Sequence, residues 1–344
     1  MLFIILVYIV VLLALYFRKP IMDRFVPEFN AFEQKRLKIY LSNLTQNPSF
    51  KDLVNPHSQP DSKTVWVSFD PSSKHYFQLT VQDKETREDL QVLAERFKMN
   101  GKPFRWSSHT DSIEWFENPT LAKTRHIYGK SIRTPYAILG RLRSKTHFGN
   151  IPLAKKHTQP FEDKRSVVIW RGGPSGTGFH NQYEDYLSKP SREDMLKLWC
   201  NHPGTQDEID VGLITKWQFE DYKEYLKPKM TIEEMLGYKY LLSVEGNDVA
   251  TNLKWAMASK SLVLMPTPKV ESWFAESQLK PWVHYVPIRD DFSDLYSMKI
   301  WCDAHPTECK DIIRNANRYV EQFTNEEREV YLFKCVMDKY LELS

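Results

Sequence analysis

The sequence predicts an α/β protein with a parallel sheet in its C-terminal half. Three observations carry this. The apolar run SVVIW (166–170) ends directly in a Gly-rich turn, Arg171-Gly172-Gly173-Pro174-Ser175-Gly176-Thr177-Gly178. A second run, KYLLSVEG (239–246), ends at a glycine and is followed by a helical stretch from Asn252 to Ser259. Two further runs, SLVLMP (261–266) and HYVPI (284–288), continue the pattern. Short apolar runs that alternate with turns and helices are the signature of strands buried on both faces of a parallel sheet.

In chain order, residues 1–17 (MLFIILVYIVVLLALYF) carry no charge. As a helix they span about 25 Å at ~1.5 Å per residue, the lower limit for a bilayer core. A cleaved signal peptide has a basic start and a small-residue exit. This segment has neither and leaves through Arg18-Lys19-Pro20, so an uncleaved single-pass membrane anchor over residues 1–19 is expected. Arg18, Lys19 and Arg24 place the bulk of the chain on the cytoplasmic side by the positive-inside rule. The sequon Asn43-Leu44-Thr45 points to the opposite, lumenal side.

Residues 20–60 form a polar, Pro-punctuated stem. Within it Phe32–Leu44 is amphipathic and suits a helix lying on a membrane or on the domain. VWVSFD (65–70) and HYFQLTV (75–81) alternate as strands do, and Glu85–Met99 has a helical stripe of Leu90, Leu93, Ala94 and Phe97. The chain to about residue 160 then looks loop-rich, with a basic stretch from Lys123 to Lys156. Residues 308–343 are helical, with Ile312, Ile313, Ala316, Tyr319, Val320 and Phe323 on one face. The resulting division is a stem at 20–60, one domain at 61–160, a second at 161–310, and C-terminal helices at 311–344 that pack back on the body.

Composition excludes several classes. The 47 basic and 44 acidic residues leave a charge of +3 scattered along the chain, so no nucleic-acid partner is expected. Four cysteines without a CxxC spacing argue against a disulfide scaffold or a zinc site. Cys302 and Cys309 suit a local disulfide if the domain is lumenal and buried thiols if it is cytosolic. Glu208-Ile209-Asp210 is a poor copy of a metal-binding Asp-x-Asp, and no metal or other cofactor is expected. Trp273, Trp282 and Tyr285 could stack on a base or a sugar, with Trp282 read as core.

Two turns can carry chemistry. Small residues at Gly172 and Gly173 let backbone N–H groups approach phosphates, although the turn is neither a P-loop nor GxGxxG. The alternative is a plain wide turn. Glu245-Gly246-Asn247-Asp248-Val249-Ala250-Thr251-Asn252-Leu253-Lys254 joins a strand end to a helix start, where open α/β sheets bind ligands. Thr251, Asn252 and Lys254 offer donors to a diphosphate. A helix cap by Asp248 or Thr251 is compatible with that reading.

YKYLLSVEGNDVATNLKW (238–255), SLVLMP (261–266), LKPWVHYVPIRDDFSDL (279–295) and the WRGG turn (170–173) resemble family 90 glycosyltransferases. These include capsule-associated and lipopolysaccharide-modifying enzymes, related to protein O-glucosyltransferases acting on EGF repeats. The resemblance runs in order over about residues 118–335. It is strongest at 238–295, weaker at 119–127 (PTLAKTRHI) and 170–213, and absent before about residue 100.

The resemblance implies a GT-B-like fold, two Rossmann-like domains facing a cleft. The 161–310 domain would hold a nucleotide-sugar, usually a UDP-sugar, and the 61–160 domain would hold the acceptor, a glycan, glycolipid or protein. Arg171, Gly172 and Gly173 match the family's turn under the donor. Arg192 in KPSRED matches its basic residue that reaches the nucleotide. Glu245, Gly246, Asn247, Thr251, Asn252 and Lys254 fall in its diphosphate loop and helix. Many members have Arg where this chain has Asn252, which shifts phosphate neutralisation to Arg171, Arg192, Lys254 or the helix dipole. Lys123 and Arg125, in the family's Lys-Ser/Thr-Lys/Arg segment, are candidate acceptor or phosphate contacts. An inverting transfer needs a carboxylate base before that segment. Asp111 in HTDS is the candidate, and its competing role is a helix N-cap. The non-enzymatic alternative is a membrane-anchored carbohydrate-binding or scaffold protein that retains the donor fold.

Overall fold

The computed structural model describes residues 28–41, 64–67, 104–107, 120–127, 137–139, 148–175, 191–214 and 220–343. The apolar run 1–17, the sequon, Asp111, the turn residues Gly176–Gly178, HYFQLTV (75–81) and Glu85–Met99 lie outside these residues. No described helix is long and apolar enough to cross a membrane.

The chain opens with α1 (Ala31–Leu41), followed by β1 (Thr64–Val67), β2 (Phe104–Ser107), β3 (Thr120–Ala122), β4 (Thr124–His126), β5 (Ala137–Leu139) and α2 (Ile151–Lys156). The region expected to be loop-rich therefore holds four strands and a helix. β1, β2, β3 and β5 form one mixed sheet in that order.

Then come β6 (Arg165–Gly172), α3 (Arg192–Trp199), β7 (Ile209–Leu213), α4 (Ile232–Met235), β8 (Tyr238–Leu242), α5 (Leu253–Met257), β9 (Leu262–Met265), β10 (Val270–Ser272), β11 (Val286–Pro287), α6 (Leu295–Ala304), α7 (Pro306–Glu321) and α8 (Glu326–Leu343). The second sheet has the order β11-β9-β8-β6-β7, and every neighbouring pair is parallel. Its first strand, β6, is interior. The chain winds from β6 to β7 on one side, then returns past β6 to β8, β9 and β11 on the other. Such an order has a switch point, here between β6 and β8.

The apolar runs form this sheet because both of its faces are covered. Val168, Ile169 and Trp170 of β6, Tyr240, Leu241 and Leu242 of β8, and all four residues of β9 are buried. Ile312, Ile313, Ala316, Tyr319, Val320 and Phe323 pack inward, as their spacing predicts. The C-terminal helical stretch is broken into α7 and α8, and α6 precedes them.

α1 docks on the body. Asn30 and Glu33 cap it reciprocally, with Asn30 N–H donating to Glu33 Oε2 (2.8 Å) and Glu33 N–H to Asn30 Oδ1 (2.9 Å). Arg36 makes two parallel 2.6 Å bonds to Glu329 of α8 and lies 4.1 Å over the Phe323 ring. The Tyr40 hydroxyl donates to the Trp273 carbonyl.

One expectation needs correction. Trp282, read as core, is 46% exposed and has a left-handed backbone (φ 62°). Its ring meets Trp301 edge-on at 4.8 Å instead of entering the core. Trp273 and Tyr285 are buried. Cys302 and Cys309 are buried as separate thiols, and the Cys309 Sγ donates to the Cys302 carbonyl at 3.5 Å.

Candidate functional site: a buried arginine at the sheet's switch point

Strands β6 and β8 run parallel, so the turns after Gly172 and after Leu242 emerge side by side at one sheet edge. The gap between them is filled by the first residue of α3. Ser191 caps α3, accepting a hydrogen bond from Glu193 N–H (3.1 Å), and Arg192 follows. Arg192 Nη1 donates to the Gly173 carbonyl (3.0 Å) and to Ser175 Oγ (2.7 Å), and Nη2 donates to the Val244 carbonyl (3.0 Å). The guanidinium also sits 5.4 Å from the Trp170 ring. One side chain thus ties the two turns together.

The glycines make room for it. A Cβ on Gly246 would lie 2.8 Å from Ser175 Oγ and 3.0 Å from Arg192 Nη2. A Cβ on Gly172 would fall 2.4 Å from the Trp170 ring. Among the described residues nothing lies within 4 Å of the Gly173 Cβ position.

Arg192 is 9% exposed, yet all its hydrogen-bond acceptors are neutral, and no carboxylate among the described residues forms an ion pair with it. Its Nε has no hydrogen-bond partner. Burial pushes its pKa down to about 10, against the opposing pull of the more distant Asp248 and Glu245 charges. Buried charges are normally paired, because moving a lone ion out of water is costly. An arginine held this way has the chemistry to bind an anion through charge-assisted hydrogen bonds.

The other expected donor contacts are placed differently. Arg171 turns sideways, with Nη2 on Asp210 Oδ2 (2.7 Å), Nη1 on the Trp170 and Asp210 carbonyls, and Nε on the Pro228 carbonyl (3.1 Å). Lys227 also holds Asp210 at 2.7 Å. Burial opposes ionisation of Asp210, but the bonds from Arg171 and Lys227 outweigh it and hold the carboxyl below its usual range. Glu208, two residues earlier, pairs instead with Lys299 and with the Tyr296 hydroxyl (2.9 Å). The two carboxylates of the Asp-x-Asp-like run are therefore committed to different groups.

Lys254 is 1% exposed and its Nζ bonds Glu276 Oε1 at 2.9 Å. Asn252 precedes α5 without capping it. Its Nδ2 donates to the Leu242 carbonyl (2.9 Å) and its Oδ1 accepts from Ser243 Oγ (3.1 Å). α5 is only five residues long, so little helix dipole stands behind this loop. Thr251 is exposed, and Asn247 is half-buried between Gly246 and Asp248. Glu245 Oε1 accepts the Lys269 and Val270 N–H groups (3.1 Å each), lashing the loop to the start of β10. A small concavity opens here, lined by Ser243, Glu245, Val249, Ala250, Pro266 and Glu276 among others.

Lys123 immediately precedes β4 and Arg125 lies within it, and they connect the N-terminal region to this loop and to β10. Lys123 Nζ pairs with Asp248 Oδ2 at 2.6 Å, and Arg125 pairs with Glu271 at 2.8 Å, its partner across the antiparallel β4–β10 ladder. All four side chains are buried. Sequence reasoning missed the roles of Ser175, Trp170 and Asp248. Ser175 lay inside the Gly-rich turn already singled out, whereas Asp248 resembled a helix cap.

Several known proteins resemble this chain in sequence. The chain is 37% identical over 227 residues to the O-glucosyltransferase LpsA of Dichelobacter nodosus, an alignment covering 66% of this chain and 63% of that protein. It is 29% identical over 226 residues to the uncharacterized protein 027R of Frog virus 3, covering 60% of this chain and 23% of that one. Protein O-glucosyltransferase 3 of Homo sapiens is 29% identical over 175 residues, 49% of this chain and 34% of the human protein. The chain thus spans less than two thirds of the length of these relatives. The profile described as Glycosyl transferase family 90 matches residues 145–344, which contain the whole five-stranded sheet and its switch-point arginine, and the chain belongs to that family.

Proposed function

We propose that this chain is a glycosyltransferase that moves a sugar from a nucleotide-sugar of the UDP type to a hydroxyl of a glycan, a lipopolysaccharide-like glycolipid or a protein. The observation that carries the reading is Arg192, a buried cation whose partners are all neutral at the switch point of a parallel sheet. The names of the relatives, two of them O-glucosyltransferases, support a sugar donor. The diphosphate meets Arg192 above Gly173 and Gly246, and the nucleoside or the sugar occupies the neighbouring concavity by Ser243 and Glu245.

In the reaction the acceptor oxygen attacks C1 of the donor sugar, its proton passes to a carboxylate, and the bond from C1 to the diphosphate oxygen breaks. The charge that develops on the departing diphosphate falls on Arg192. A cation fixed in advance in a water-poor site is the most effective stabiliser of such a charge. Asp111 is the proposed base, with inversion at C1 and no metal. A GT-B arrangement, with residues 61–160 on the acceptor side and residues 1–17 holding the protein on a membrane, completes the proposal.

The test is nucleotide release from UDP-glucose, UDP-xylose and UDP-galactose in the presence of candidate acceptors. Release from one donor that depends on both acceptor and Asp111 supports the reading. Release that survives Asp111→Asn removes that residue as the base. No release from any of the donors, by protein that also binds no UDP, contradicts the reading as a whole.

A further inference from the structure

Lys123 was expected to touch an acceptor or a phosphate, yet its Nζ lies 2.6 Å from Asp248 Oδ2, with the two side chains 6% and 9% exposed. Asp248 belongs to the tight turn in which Gly246 N–H donates to the Asp248 carbonyl (3.1 Å). Gly246 in turn abuts the Arg192 guanidinium. A buried carboxylate and a buried guanidinium thus share one small loop without forming an ion pair. A carboxylate deprived of its cation in such a place turns to the nearest other cation, because an unpaired buried charge is costly.

We propose that Lys123 is a positioning residue. By holding the Asp248 carboxylate it keeps that carboxylate off Arg192 and leaves the guanidinium free for an anionic diphosphate. The proposal rests on the donor-site reading above and deepens it. Lys123 acts on the nucleotide through Asp248, and the N-terminal region, which supplies Lys123, sets the charge available in the donor site. The β4–β10 ladder and the Arg125–Glu271 pair fix Lys123 in register with the loop.

A double-mutant cycle on the full chain tests this, with UDP as the probe in calorimetry and thermal melting as the check on folding. Lys123→Met should weaken UDP binding by about tenfold or more, because Asp248 then competes for Arg192. Removing the competitor as well, in Lys123→Met/Asp248→Asn, should restore affinity to within about threefold of the unmodified chain or better.

A double variant as weak as Lys123→Met would overturn the proposal in favour of direct contact between Lys123 and the nucleotide. Unchanged binding by Lys123→Met would also overturn it. If Lys123→Met does not fold, the double variant, whose pair is neutral, decides by the same threefold criterion against the unmodified chain. Absence of UDP binding by the folded unmodified chain would remove the donor-site reading and this proposal with it. Binding by that chain with a failed cycle removes the positioning role alone.

Discussion

Two buried arginines in this protein have opposite surroundings. Arg36, in the seam between α1 and α8, brings its own counterion: two bonds to Glu329 at 2.6 Å and an aromatic floor at Phe323. Arg192, at the switch point, has two carbonyls and one hydroxyl. Burial is similar and chemistry is identical, so the difference lies in what completes each group. The seam is finished by the chain itself. The switch-point arginine is completed by neutral groups alone among the described residues. Lys254–Glu276, Arg125–Glu271 and Lys123–Asp248 all follow the seam's pattern, which makes Arg192 the exception among them.

The largest effect that could break this comparison is in the seam. Glu329→Gln strands Arg36 in a dry site, and stability should fall by about 3–5 kcal/mol, read as a lower midpoint in urea. A loss below about 1 kcal/mol would mean that Arg36 finds water, and the contrast with Arg192 would fail.

At the switch point the expected change is in binding. Gly246→Ala pushes a methyl group against Ser175 and Arg192. UDP affinity should drop by about tenfold, a displacement worth ~1.4 kcal/mol, while the melting temperature moves little. Equal affinity in calorimetry would place the diphosphate elsewhere.

Acid sharpens the comparison further. The hydrogen bond from Arg328 holds the Glu33 carboxyl below its usual range, and Asp210 is held down likewise despite its burial. A depressed carboxylate contributes stability above its unfolded pKa and loses it as the pH falls through the folded value. The midpoint in urea should therefore fall on acidification below about pH 4, and Glu33→Gln should flatten that fall. An unaltered pH profile in Glu33→Gln would show that the α1–α8 seam does not depend on this ionisation.

The smallest effect is expected at Trp282. This residue is 46% exposed, and Trp282→Ser should shift stability by less than about 0.5 kcal/mol and leave UDP binding unchanged. A larger loss in thermal melting would show that the Trp282–Trp301 contact carries real packing energy.

Much of the sheet was legible. β6, β8 and β9 are continuous apolar runs because helices and loops cover both of their faces. β7 was not legible, since Asp210 and Gly212 interrupt it, and their reasons are distant: Arg171 and Lys227 claim Asp210, and the Lys227 side chain fills the space where a Gly212 Cβ would stand. β3 and β4 are three residues each, split by Lys123, too short for any periodicity.

At the site, a strand end followed by glycine is a local signal and singled out Gly246, whereas Arg192 entered through the family resemblance; the fold puts the two side by side. Lys254 and Arg171 looked like phosphate ligands for the same local reason. Their partners Glu276 and Asp210 lie 22 and 39 residues away, and only the fold brings them together. A cation in a sequence shows its charge but not what already neutralises it.

The central claim is that Arg192 lacks an anion until a nucleotide supplies one. Titration of UDP into the full chain and into Arg192→Met, each checked by thermal melting, tests it most directly. The account predicts that the unmodified chain binds UDP and is stabilised by it. Arg192→Met should lose about tenfold to a hundredfold in affinity with a smaller loss of stability than Glu329→Gln, since removing a buried charge that has no counterion partly offsets the three hydrogen bonds lost. Equal affinity in the two proteins, or an Arg192→Met variant as unstable as Glu329→Gln, would contradict it.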